Sequence, residues 1–249
     1  MVNWGRVRTR ILEEQENGLN WGRLVRGTLI RRYKRFLADV RLDDGSEVTA
    51  HCPNTGSMRG CSESGRPVWL SLHDDPRRRY PYTWEIIEMP GSLVGVNTGV
   101  PNRLVKAALL TGAIEPLAGY ESVRSEVKSS QGTRLDLLLE APHRPACYVE
   151  VKNCTLVEGG LACFPDAVTR RGRKHLDELA DIVGRGERGV SFYLVQRMDA
   201  ERFRPADHMD PEYGRALRRA VGLGVEALVY DVRMDLNRIE LNDRLPVEL

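Results

Sequence analysis

The chain has 249 residues, 37 Lys and Arg against 35 Asp and Glu, with 41% hydrophobic and 29% charged residues, a globular composition that excludes disordered and collagen-like chains. At roughly 150 residues per domain the length predicts one to two domains, and no run of about 18 apolar residues offers a membrane span. A net charge of +2 neither marks nor excludes a nucleic-acid binder, because phosphate responds to where charge is placed.

Residues 1–21 read as a loosely ordered leader, with Arg6, Arg8 and Arg10 but no apolar core region and no cleavage site. From 22 to 96 short β-rich runs alternate with turn signals, at 23–30, 36–42, 46–51, 68–72, 83–89 and 93–96. A barrel of about five strands at this length is the size of an OB-fold, a platform for oligonucleotides. Two basic clusters lie on it: Arg31, Arg32, Lys34 and Arg35, then Arg77, Arg78 and Arg79 followed by Tyr80 and Tyr82. Cations interleaved with aromatics suit a groove that tracks a backbone and stacks bases; the alternative is a solvated edge and loop.

The polar loop HCPNTGSM at 51–58 reads as a tight turn around Pro53 and Gly56. His51, Cys52 and Cys61 also supply three zinc-type ligands, but without paired spacing. Five Cys with no C-x-x-C pair predict reduced thiols, hence a cytoplasmic protein with no membrane contact.

The second half, 97–232, predicts a helix over 102–119, strands over 122–127, 134–140 and 147–151 in a meander, a helix over 166–183 and a strand over 190–195. Asp166, after Phe164-Pro165, reads as the N-cap of the second helix. On the strand 134–140, Asp136 is an acid in an apolar run; on 147–151, Glu150 and Lys152 share one face about 7 Å apart. If these strands pair, Asp136 nears Glu150, and two carboxylates suit a hard cation, Mg²⁺ or Mn²⁺. Lysine is informative here, since all but five of the basic residues are Arg. A compact ammonium beside a metal is not replaceable by a guanidinium. Lys152 would orient water or stabilise charge on phosphate. Asp136, Glu150 and Lys152, in the order helix, three strands, helix, strand, resemble the PD-(D/E)xK nuclease superfamily. Glu126, beside Lys128, reads as a further acid on the neighbouring strand or as an exposed ion pair. Arg171, Lys174 and His175 share a helix face suited to phosphate or proton transfer, or else to solvent.

The motifs RYKRFLADV at 32–40, HCPNTGSM at 51–58, YTWE at 82–85, GVNT at 95–98, YVEVKN at 148–153, FPDAVT at 164–169 and RGRKHL at 171–176 together resemble the sugar fermentation stimulation protein A (SfsA) family. The likeness runs from about 22 to 230. It implies a mixed α+β chain, an N-terminal OB-like β-barrel followed by a PD-(D/E)xK nuclease-like αβββαβ domain, that binds DNA, with RNA as a further partner. It carries the catalytic positions onto Asp136, Glu150 and Lys152, with Glu126 beside them. The function expected is a nucleic-acid-binding protein with a Mg²⁺- or Mn²⁺-dependent phosphodiesterase site, metal on Asp136 and Glu150. The rival is a non-catalytic DNA-binding regulator linked to sugar metabolism. The tail 233–249 reads as an extra strand or a subunit contact.

Overall fold

In the computed structural model, which describes residues 18–129 and 132–249, a short strand β1 (Gly18–Asn20) precedes a barrel. The barrel strands are β2 (Leu24–Tyr33), β3 (Leu37–Leu42), β4 (Glu47–His51), β5 (Pro67–Leu72) and β6 (Tyr82–Met89). They pair in the order β4-β3-β2-β5-β6, and β4 meets β6 at His51 and Thr83, which closes five strands into an OB barrel. A further strand, β7 (Ser92–Gly95), extends β6. Inward positions recur every second residue along Val68 and Leu70 or Ala38 and Val40, and these fill one core with Leu29, Ala50 and, across an irregularity in the β5–β6 register, Trp84 and Ile87. The first basic cluster falls at the β2–β3 hairpin, where Lys34 and Arg35 take left-handed backbone, φ 49° and 67°.

The second unit is a seven-stranded sheet covered by helices on both faces. After α1 (Val100–Leu110) come β8 (Ser122–Lys128), β9 (Arg134–Glu140) and β10 (Cys147–Cys154), an antiparallel meander. Next are β11 (Leu156–Glu158), β12 (Leu161–Phe164), α2 (Arg170–Gly184), β13 (Arg188–Val195), β14 (Arg202–Pro205), α3 (Pro211–Gly222), β15 (Glu226–Met234) and β16 (Arg238–Arg244). The sheet order is β1-β16-β15-β13-β10-β9-β8, with β10, β13 and β15 parallel. Helix α1 buries Leu104, Val105 and Ala108 on one face; α2 and α3 bury Leu176, Leu179 and Leu217 on the other. The helices approach closely at Gly172, where a Cβ would lie 2.8 Å from Thr169 and 3.0 Å from Tyr213.

Several expectations change. The leader expected over 1–21 ends in order: residues 18–20 are β1, paired with β16, because Gly18, Leu19 and Asn20 complete that strand's ladder; residues 1–17 lie outside the described residues. The tail is the strand β16, with Ile239 and Leu241 in the core. Helix α1 stops at Leu110 instead of 119, since Gly112 takes φ 74° and Glu115–Leu117 forms a separate 3₁₀ turn. The small sheet β11-β12-β14, α3 and β15 were not read from the sequence. Among the described residues no helix is long and apolar enough to cross a membrane.

Candidate active site

Adjacent β9 and β10 bring the acids together. The β9–β10 ladder ends where Val149 pairs with Leu137, and just beyond it the Val151 N–H reaches the Asp136 carboxylate, which sets Asp136 near Glu150. Both line one cavity of about 360 Å³ with Lys152. Asp136 Oδ1 accepts a hydrogen bond from Asn102 Nδ2 and Oδ2 accepts one from the Val151 N–H, each 2.8 Å. Burial and the neighbouring Glu150 charge push the Asp136 carboxyl above its usual range.

Glu150 is 4% exposed. Its Oε1 accepts from Lys152 Nζ at 2.7 Å and contacts His175 Nδ1. Burial alone would raise this carboxyl, but His175 and Lys152 outweigh it and hold Glu150 below its ordinary value. Its Oε2 is buried with no hydrogen-bond partner. A buried carboxylate oxygen left unpaired is costly unless something outside the chain completes it.

The oxygen-only donor pair fits a hard cation. Among the described residues no set of three or more His, Cys, Asp or Glu side chains is arranged to hold a metal by itself. Two carboxylates are nonetheless what Mg²⁺ uses when water and substrate phosphate complete its shell. The orphaned Glu150 Oε2, in the cavity that Asp136 also lines, is the feature that accommodates such an ion.

The other expected site residues separate. Glu126 is not brought to the cavity: with φ 54° it turns out of the β8 ladder and pairs with Arg134 at 3.2 Å in solvent. His175, read as a nucleic-acid contact, is 4% exposed and is packed against Glu150, Lys152 and the Arg171 guanidinium, so it reaches no ligand directly. Arg171 lines the cavity, and Lys174 stays exposed on α2. In the barrel clusters, Arg31 pairs with Asp39 and Arg77 with Asp75, while Arg78 bonds Thr83 and Arg79 lies over the Tyr80 ring. Arg32 is a fastener, donating to the carbonyls of Arg35, Asn54 and Gly56 at 2.7–2.9 Å. Lys34 and Arg35 are left as the exposed cations of that hairpin. Cys52 and Cys61 are barrel-core residues whose burial pushes both thiols up, Cys61 to about 11. With His51 they form no metal set.

Asp166 is not an N-cap. Thr169 caps α2, its Oγ1 accepting from the Gly172 N–H at 3.0 Å. Asp166 Oδ2 instead accepts from the Met58 N–H at 2.8 Å and Ser57 Oγ at 2.9 Å, across to the barrel. This contact and the Arg32 fastener set the loop Asn54-Thr55-Gly56 as the cavity wall facing the acids. Asn102 and this wall were missed as site residues; HCPNTGSM showed only a turn, because its partner lies more than a hundred residues on.

The chain matches two family models, the SfsA N-terminal OB domain over residues 30–96 and the sugar fermentation stimulation protein RE domain over 99–238. It is 58% identical over 224 residues to the sugar fermentation stimulation protein homolog of Geobacter sulfurreducens, covering 90% of this chain and 96% of that one. It is likewise 58% identical to the homolog of Pelobacter propionicus, covering 91% of this chain and 98% of that one. The solved structure of Pyrococcus furiosus SfsA superposes with a TM-score of 0.85 at 24% identity, over 93% of this chain and 98% of that one, and so shares the fold. With both domain models matched in order and relatives identical at more than half of the aligned positions, the chain belongs to the SfsA family.

Proposed function

We propose that the protein is a metal-dependent phosphodiesterase acting on nucleic acid, DNA in the first place. The observation that carries this reading is the buried Glu150 with its unpaired Oε2, near Asp136 and bonded to Lys152, in an open cavity. Such an arrangement is costly to a fold and rational for a phosphoryl site. Asp136 and Glu150 would hold Mg²⁺ or Mn²⁺, which when bound polarises the phosphate and acidifies water. The related Pyrococcus furiosus protein was solved in complex with Ca²⁺, another hard, oxygen-seeking cation.

The chain's own groups divide the remaining work. Asn102 and the Val151 N–H fix the two oxygens of Asp136, so the carboxylate arrives already oriented. His175 and Lys152 both hold Glu150 Oε1, which leaves Oε2 as the oxygen turned to a ligand. An ammonium has three donors, and Lys152 spends one on Glu150; His175 Nδ1, whose ring partner Nε2 accepts from Arg171, donates to the same carboxylate and takes none. The remaining donors of Lys152 meet charge developing on phosphate oxygens. Arg171, on the rim, adds a cation for the same anion.

The test is incubation of pure protein with end-labelled DNA and RNA in Mg²⁺, Mn²⁺ or EDTA, beside Asp136→Ala. Cleavage should require metal and fall at least about 10³-fold in the variant, with an unchanged circular dichroism spectrum. Tight, salt-sensitive binding without cleavage of any substrate would instead support the regulator reading.

A further inference from the structure

We propose that the cavity receives one unpaired nucleotide of the substrate strand, gripped between the acids and the barrel loop, so that single strands, ends and mismatches are preferred over paired duplex. This deepens the phosphodiesterase reading of the same cavity and rests on it for the cleavage step alone.

The size of the cavity comes first. About 360 Å³ lies at the low end of the roughly 300–1,000 Å³ typical of small-molecule pockets, which is room for one nucleotide. The wall facing the acids cannot retreat freely. Asp166 holds the Ser57 hydroxyl and the Met58 N–H on one side, and Arg32 holds the Asn54 and Gly56 carbonyls on the other.

The lining points the same way. A groove built for duplex backbone presents many cations, because phosphate contacts dominate such binding. Here Lys152 and Arg171 are the lining cations, against the carboxylates of Asp136, Glu150 and Asp166, and six lining residues carry neutral amides or hydroxyls. Among the described residues the amide nitrogens of Asn54 and Asn153 and the hydroxyl of Thr55 donate no hydrogen bond, although the amide oxygens of both asparagines are engaged. Uncharged donors of this kind read a base edge or a sugar, as in pockets that take an extruded base. Extrusion from a duplex costs a few kcal/mol, least where the base is already unpaired, and this difference sets the preference.

The experiment uses oligonucleotides carrying 2-aminopurine in a single strand, in a bulge, or paired within a duplex, first in EDTA and then in Mg²⁺. The single strand and the bulge should bind at least about tenfold more tightly than the paired probe and change emission on binding. Thr55→Trp, at an exposed position of the wall, should fill the cavity and remove both effects without unfolding the protein. Equal binding of all three probes, no binding, or a signal unmoved by Thr55→Trp overturns the proposal. Cleavage in Mg²⁺ that is as fast on paired duplex as on single strand overturns it while leaving the phosphodiesterase reading intact. A selective signal lost in Thr55→Trp, with no cleavage of any probe, keeps the nucleotide pocket and removes the catalytic reading.

Discussion

Glu150 has two oxygens with opposite fates, one shared between Lys152 and His175 and the other buried with no partner. The basic residues show the same division of labour. Many guanidiniums on the barrel are occupied by acids, and Asp39 is the clearest case, since it takes Arg31 at 2.9 Å, Tyr33 Oη at 3.0 Å and Thr49 Oγ1 at 2.9 Å. Burial pushes Asp39 up, but the hydrogen bonds from Arg31, Thr49 and Tyr33 outweigh it and hold its carboxyl below the usual value. A carboxyl lowered in the folded state contributes stability that is present above its unfolded pKa, about 3.9, and is lost as pH falls through the lower folded value. Asp39→Ala should therefore lower Tm by a few degrees at pH 7 and leave a smaller difference from wild type below about pH 3. Thermal melts of both proteins between pH 2.5 and 7 check this; a gap that widens toward acid refutes the role given to Asp39.

At the scale of elements, the loop after β4 matters more to the site than any strand of the barrel. It is polar and has no ladder of its own, so its position comes from Asp166 and Arg32. Asp166→Ala removes the carboxylate acceptor of the Met58 N–H, a bond worth about 1.5–3 kcal/mol when the acceptor is charged, while Ser57 Oγ keeps the Asp166 backbone carbonyl at 2.7 Å. The expected result is fast amide exchange at Met58 and at least about tenfold weaker binding of single-stranded DNA. Asp166→Asn, which keeps one acceptor oxygen, should restore part of both; unchanged exchange at Met58 in Asp166→Ala would count against the latch. The sequence made the strands legible because alternation is a local signal, and it brought Asp136, Glu150 and Lys152 within reach of one another through the β9–β10 meander. Asp166 was misread because a residue before a helix has a local explanation, the N-cap, while its actual partners lie 108 and 109 residues away. Glu126 and His175 show the converse: strand and helix spacing put each on a promising face, but a left-handed φ at Glu126 and full burial at His175 are tertiary outcomes.

Over the whole molecule, the barrel is an insertion between elements of a single sheet, for β1 precedes it in the chain and pairs with β16 at the far end. The two units also share interior. Trp69 and Ile86 of the barrel pack in the same core as Leu104 of α1 and Val149 of β10. Hydrogen bonds cross between them at the Gly95 N–H to the Gln196 carbonyl, 2.9 Å, and from buried Arg197 to the Gly60 carbonyl, 3.4 Å. Separating the barrel would expose this apolar seam at about 25 cal/mol per Å² and strand buried polar groups, so neither unit has a free-standing intermediate to occupy. Unfolding should thus be one cooperative transition, with calorimetric and van't Hoff enthalpies equal and with tryptophan emission and helical circular dichroism changing together. Trp84 reports the barrel core, Trp69 and Trp21 report the shared core, and α1, α2 and α3 carry the helical signal of the sheet unit. Two separated transitions would mean that the seam is weaker than its packing implies. The cavity between the barrel loop and the acids would then open by domain motion, and its fixed walls could not select an unpaired nucleotide.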